Sequence, residues 1–226
     1  MEIKSKVKVI ENYLDEILPN ASCELNYTTD YSFLIAVMLS AQTTDKKVNN
    51  VTSILFNKYK NLDELANAKY DEVYEIIKPL GLAKTKAHNV INIAKELIDK
   101  FNYHVPINKV ELMSLPGVGN KTANVVHCEL FKIPEFPVDT HVERIAKRLG
   151  LVGLNDNIKE VEKRLKEIFP KEKWIKLHHQ FIHFGRYYCK AISPKCDNCK
   201  FAYFCKKLSK NWIFFRYFVD NLLECL

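Results

Sequence analysis

Apolar side chains recur at helical spacing along nearly the whole chain, and this periodicity limits the fold more narrowly than any other feature. Ala87, Val90, Ile91, Ala94, Leu97, Ile98 and Phe101 follow one another at intervals of 3-1-3-3-1-3, the stripe of an amphipathic helix. Val9, Ile10, Tyr13, Leu14, Ile17 and Leu18 form a second stripe that stops at Pro19. Others comprise Val48, Val51, Ile54 and Leu55; Val73, Ile76, Ile77 and Leu80, with Gly81 as the expected stop; Val142, Ile145, Ala146 and Leu149, ending at Gly150; and Ile158, Val161, Leu165 and Ile168, ending before Pro170. Residues 31–39 are apolar all round, as in a helix buried at the centre of a helical domain. No convincing two-residue alternation is present, and 6 Gly with 8 Pro are too few for a turn-rich β protein. The expected fold class is all-α.

At 226 residues the chain makes one large domain or two small ones. Two prolines in 132–137 mark one possible boundary, and 19–22 marks another. No apolar run reaches the ~18–20 residues of a membrane span. The N-terminal residues show no signal-peptide core or cleavage site, so a cytoplasmic location is expected. Lys and Arg exceed Asp and Glu by 34 to 27. Residues 171–210 hold ten of these bases against Glu172 and Asp197, so this one window carries the whole surplus. Such a segment suits a polyanion, or else it is a solvated lysine face.

Three segments carry chemistry. In the first, LMSLPGVGNKTANVVHCEL (112–130), a short helix ends at Pro116 and a second starts near Asn120. Gly117 and Gly119 let the backbone turn and let its amides approach an anion such as a DNA phosphate. An ordinary helix corner is the alternative. Lys121 lies in the first turn of the second helix, where the helix dipole disfavours a cation. A partly buried amine there favours its neutral form, a nucleophile able to form a Schiff base. Reaching a phosphate is the simpler use.

The second segment is PVDTHVE (137–143). Thr140 and Glu143 have capping-box spacing, which leaves Asp139 spare as a carboxylate able to stabilise a cationic sugar and handle protons. Alternatively Asp139 is itself the cap, the reading this motif favours when taken alone. In the third segment Cys189, Cys196, Cys199 and Cys205 follow C-x6-C-x2-C-x5-C. With one short pair and all four close together, the pattern suits a [4Fe–4S] cluster better than a zinc site. Cys23, Cys128 and Cys225 are scattered and are expected to be small buried hydrophobes. His178, His179 and His183 share a helix and are read as packing residues, not ligands.

Taken together and in this order, LPGVGNKTANVV (115–126), VDTHV (138–142) and the four-cysteine loop (189–205) resemble the endonuclease III family of DNA glycosylases. LSAQTTD (39–45) and GLAKTKA (81–87) are weaker matches. The resemblance spans about residues 5–207. It implies two helical lobes with a DNA cleft between them: a six-helix barrel with a helix-hairpin-helix over 22–133, and a discontinuous cluster domain of 1–21 with 134–210. It also implies a bifunctional glycosylase and AP lyase of base excision repair. Such an enzyme removes oxidised pyrimidines through a Schiff base on Lys121, with Asp139 as the second catalytic group, and cuts 3′ to the abasic site.

By matching positions, Gly117 and Gly119 contact a phosphate. Gln42 fills the gap left by the flipped nucleotide, Leu82 wedges the helix, and Lys190 and Lys195 flank DNA on the cysteine loop. His141 and Asp45 fall in matching segments and are weaker candidates for a direct role. The implied cofactor is a [4Fe–4S] cluster on the four cysteines. The implied partner is double-stranded DNA holding an oxidised base or abasic site, bound by a monomer without a membrane, at the nucleoid in a bacterium or archaeon. Asn120 stands where many relatives carry a base, and the aromatic residues 211–226 extend past the family's usual end. An adenine-removing monofunctional relative and a non-catalytic DNA-binding module are the alternatives. Lys121 with Asp139 argues against both.

Overall fold

The structure is a computed structural model that describes residues 2–207. The extension at 211–226 lies outside the described residues. In chain order the helices are α1 (Ile3–Ile17), α2 (Asp30–Leu39), α3 (Asp45–Lys58), α4 (Leu62–Ala66), α5 (Tyr70–Ile77), α6 (Ala83–Phe101), α7 (Lys109–Ser114), α8 (Asn120–Leu130), α9 (Thr140–Leu149), α10 (Ile158–Ile168) and α11 (Trp174–His183). There is no strand among the described residues, and the all-α expectation holds. The chain divides into two compact units. One is Cys23–Ile133; the other joins the residues up to Ser22 to the chain from Pro134 onward.

The unit Cys23–Ile133 is built round α2. Thr29 caps this helix in a reciprocal box with Ser32: the Ser32 amide donates to Thr29 Oγ1 at 3.3 Å, and the Thr29 amide to Ser32 Oγ at 2.9 Å. Every residue from Ser32 to Leu39 is buried, as the unbroken apolar run requires. Burial of each large side chain there stabilises the unit by roughly 1.5–3 kcal/mol. Helices α3, α6 and α8 pack against α2. One boundary differs from the periodicity: α5 stops at Ile77, well short of Gly81. Pro79 has no amide to continue the ladder, and the Leu80 amide instead closes a turn on the Ile77 carbonyl at 2.9 Å.

In the discontinuous unit, α1 lays Ile10, Tyr13 and Leu14 into a core shared with Val142, Ile145, Leu165 and Phe181. Lys6 Nζ donates to the Leu149 carbonyl at 3.0 Å, placing a cation at the C-terminus of α9, where the dipole favours it. The outer face of α1 carries acids that meet the basic window. Glu11 pairs with Lys173 at 2.8 Å, Asp15 with Lys176 at 2.5 Å and Glu16 with Lys200 at 2.5 Å. Such partly exposed pairs add little stability, but they neutralise part of the surplus. The lysine hydrogen bond holds the Asp15 carboxyl below the usual carboxylate range. The expected polyanion-binding charge at 171–210 is therefore partly spent within the unit, a pairing between residues about 160 or more apart.

Candidate active site and cysteine loop

The hairpin between α7 and α8 is fixed from below. Leu115 and Val118 are buried at 2% and 5% exposure, and the Val118 amide donates to the Leu115 carbonyl at 3.1 Å. Gly117 has φ +76°, and a Cβ there would meet Asn89 Nδ2 at 2.3 Å and Met38 Cγ at 3.2 Å. Both conformation and packing demand glycine at this position. Gly119 differs. It is the N-cap of α8 in extended conformation, and a Cβ there would meet nothing within 4 Å. Nothing within the fold requires a glycine at 119, whereas a ligand resting on the backbone would.

Glycine 119 supplies no side-chain cap to the first amides of α8. The first turn holds no acid, and Lys121 there is exposed. The partial burial expected for this amine is not found; an amine that attacks a substrate atom must be accessible. The helix behind it is locked. Ala123, Asn124, Val126, His127 and Cys128 are buried, and His127 Nε2–H donates to the Ile107 carbonyl at 2.9 Å. A Gly119→Ala variant is expected to unfold in urea at the wild-type midpoint yet bind DNA more weakly, by about tenfold. Gly117→Ala is expected to lose stability as well, by more than about 1 kcal/mol.

Thr140 is the first residue of α9, and Asp139 is its N-cap. The carboxylate is therefore not spare, as the Thr140–Glu143 spacing had implied. Asp139 Oδ1 accepts from the His141 and Val142 amides, both at 2.8 Å, which fixes the side chain. The other oxygen, Oδ2, lies 3.0 Å from His141 Nδ1. The two side chains are 13% and 29% exposed, so Asp139 is a largely enclosed carboxylate oriented by two backbone donors and a histidine.

Five non-glycine residues of Cys23–Ile133 have positive φ: Asn102, Tyr103 and Lys132, together with the two candidate residues Gln42 and Leu82. Gln42 has φ +56° and Leu82 φ +61°, a region L-residues with bulky side chains rarely adopt. Both are exposed, Leu82 at 58%.

A single π-helical turn, Phe184–Tyr188, follows α11 and delivers Cys189, whose amide donates to the Phe184 carbonyl at 2.7 Å. Cys189, Cys196, Cys199 and Cys205 line one pocket together with Ile145, Leu149, Phe184 and Phe201. Burial, reinforced by the neighbouring thiols, pushes the Cys196 and Cys199 thiols up. Among the described residues no three or more His, Cys, Asp or Glu side chains meet round a single ion, so the four cysteines share the pocket without forming a one-metal site.

The loop from Cys189 is held by two arginines that the sequence reading passed over. Arg144 Nη2 donates to the Cys189 carbonyl at 3.3 Å and to the Gly185 carbonyl of the preceding turn at 2.9 Å. Arg148 Nη1 donates to the Lys190 carbonyl at 2.7 Å and to Cys189 Sγ at 3.1 Å, and its Nη2 to the Ala191 carbonyl at 3.1 Å. Their only sequence signal is a four-residue interval on α9. Lys190 and Lys195 are exposed on this loop, and Lys195 Nζ stands 5.7 Å from the Tyr188 ring centroid. His178 Nδ1–H donates to the Pro137 carbonyl at 2.9 Å, and His183 Nε2–H to Ser22 at 2.9 Å, packing roles as expected.

An all-helical fold carrying a glycine hairpin and a lysine-led helix is the architecture of the base-excision glycosylases. Residues 35–171 match the family model of the HhH-GPD superfamily base excision DNA repair protein. The chain is 44% identical over 207 residues to endonuclease III of Bacillus subtilis (strain 168), covering 90% of this chain and 94% of that one. It is 45% identical over 189 residues to endonuclease III of Rickettsia felis, covering 83% and 88%. A solved structure of a trapped endonuclease III–DNA covalent intermediate has 44% identity and a TM-score of 0.89, covering 94% of this chain and 100% of that one. The chain belongs to the endonuclease III family, the DNA glycosylases and abasic-site lyases of base excision repair.

Proposed function

We propose that Lys121 is the nucleophile of a bifunctional glycosylase that removes oxidised pyrimidines from double-stranded DNA, working as a monomer at the bacterial or archaeal nucleoid. The observation that carries this reading is the pairing of an exposed first-turn lysine with a glycine at 119 that the fold itself does not need. That endonuclease III has been trapped covalently on DNA supports a covalent route.

The target nucleotide must leave the stack for its C1′ to be reached. Lys121 Nζ forms a bond to C1′ while the C1′–N bond breaks, and the base departs with the electron pair and takes up a proton. Asp139 accepts the proton shed by the attacking amine and balances the positive sugar. The ring then opens to the imine. Loss of a C2′ proton and rupture of the C3′–O bond cleave the strand 3′ to the site. Amides at Gly117 and Gly119 hold a backbone phosphate, Gln42 and Leu82 occupy the vacated stack, and Lys190 and Lys195 flank the duplex.

Cys189, Cys196, Cys199 and Cys205 fit a [4Fe–4S] cluster, since all four reach one apolar-walled pocket. Bound there, the cluster supplies a fixed cationic centre that orders the loop bearing Lys190 and Lys195. Arg148, hydrogen-bonded to the Cys189 sulfur, shares that work from the protein side. Anaerobically purified protein is expected to be brown, with about four iron and four labile sulfide per chain. A colourless protein with one zinc would replace the assignment.

The lesion range is tested with borohydride trapping on a panel of duplexes. Adducts should form with oxidised pyrimidines and abasic sites. Preferential trapping on oxidised purines would overturn the substrate assignment, and no adduct on any duplex would favour the monofunctional or non-catalytic alternatives.

A further inference from the structure

Lys86 is 3% exposed. It sits in the first turn of α6, where the dipole opposes a cation, and burial pushes its ammonium down from the usual lysine range. The stripe of α6 would accept an apolar residue there, so the buried amine needs a reason. Its bonds supply one. Nζ donates to the Ala41 carbonyl at 2.8 Å and lies 3.4 Å from Thr43 Oγ1. Those two residues flank Gln42, whose φ is +56°.

At its own end of α6, the Lys86 amide closes the first turn on the Leu82 carbonyl at 3.0 Å, and Leu82 has φ +61°. The two segments also approach through their backbones: a Cβ on Gly81 would stand 3.9 Å from the Gln42 carbonyl oxygen. Leu82 offers α6 no side-chain cap. Two strained, exposed residues and one buried ammonium thus converge on one junction. Strain of this kind persists only where the surroundings over-determine it.

We propose that Lys86 is a positioning residue: its ammonium ties the 40–43 turn to the start of α6 and holds Gln42 and Leu82 in fixed register, so that both enter the duplex as the damaged nucleotide leaves. The inference rests on the reading of Gln42 and Leu82 given above. Lys86 touches no reacting atom. Its work is done before chemistry, in fixing side chains that would otherwise have to be ordered during extrusion.

The test uses the full chain with its cluster. Lys86→Met keeps the aliphatic stem and removes the donor, and Lys86→Gln keeps a neutral donor. The measurement is the ratio of two single-turnover rates, excision from a lesion duplex over cleavage of a single-stranded abasic oligonucleotide, where there is no stack to fill. The methionine variant is expected to lower that ratio about tenfold or more. It should also abolish the fluorescence rise of 2-aminopurine placed opposite the lesion. The glutamine variant should fall between, and it carries the comparison alone if the methionine variant does not fold. An unchanged ratio, or equal slowing on both substrates with wild-type fluorescence, overturns the proposal. A Gln42→Ala, Leu82→Ala double variant separates the two layers. A wild-type ratio in the double variant overturns the reading of those residues, whereas a low ratio there with a wild-type ratio in Lys86→Met overturns the role of Lys86 alone.

Discussion

Lys121→Ala abolishes the borohydride-trapped adduct and lowers the single-turnover excision rate by roughly 10⁴-fold or more, while the protein becomes no less stable. The second half of that expectation separates a catalytic lysine from a structural one. Lys121 is exposed in the first turn of α8, where its charge opposes the helix dipole, so removing it relieves about 0.3–1 kcal/mol of unfavourable interaction. Alanine also has the best helix propensity. Urea unfolding should show a midpoint equal to or above wild type. The hairpin is untouched, so DNA binding by gel shift should persist. Lys207→Ala, two residues past Cys205, should still trap. An adduct of normal yield in Lys121→Ala would assign the nucleophile elsewhere.

The second large effect is expected at Asp139, and the structure makes a single substitution ambiguous. Alanine removes both a carboxylate and the N-cap of α9. The capping loss alone costs about 0.5–2 kcal/mol, and α9 carries Arg144 and Arg148, which hold the cysteine loop. Loss of activity in Asp139→Ala could therefore arise from chemistry or from a loosened loop. Asparagine caps about as well as aspartate and can still accept from the His141 and Val142 amides. Asp139→Asn should keep its urea midpoint and iron content and lose about 10²–10⁴-fold in excision rate. Wild-type activity in the asparagine variant would mean that Asp139 serves α9 and nothing else.

What the sequence made legible follows from how local each feature is. The hairpin, its two glycines and Lys121 lie within five residues, and the dipole argument needs only the helix start, which Pro116 and the glycines mark. The buried helix α2 was legible from its unbroken apolar run. At Asp139 the sequence left two readings open, because Asp139 and Thr140 are both good caps and the choice between them turns on one residue of backbone conformation that spacing cannot resolve. The ion pairs of Lys173, Lys176 and Lys200 were invisible because their partners lie on α1, far away in sequence. Lys86 was missed although its signal was present: the objection to a cation in the first turn of a helix, which singled out Lys121, applies to α6 as well. GLAKTKA holds two lysines at that helix start, and burial alone tells Lys86 from the exposed Lys84.

The helix α1 belongs to the same unit as the chain beyond Pro134, and this has a consequence for how the protein is made. As the nascent chain leaves the ribosome, α1 emerges before any of its packing partners beyond Pro134. The contiguous stretch Cys23–Ile133 can collapse meanwhile, since everything its core needs has already been translated. At typical elongation speeds α1 waits on the order of ten seconds for α10 and α11, with Ile10, Tyr13 and Leu14 facing water. Glu11, Asp15 and Glu16 likewise lack their lysine partners until residues 173–200 have been made.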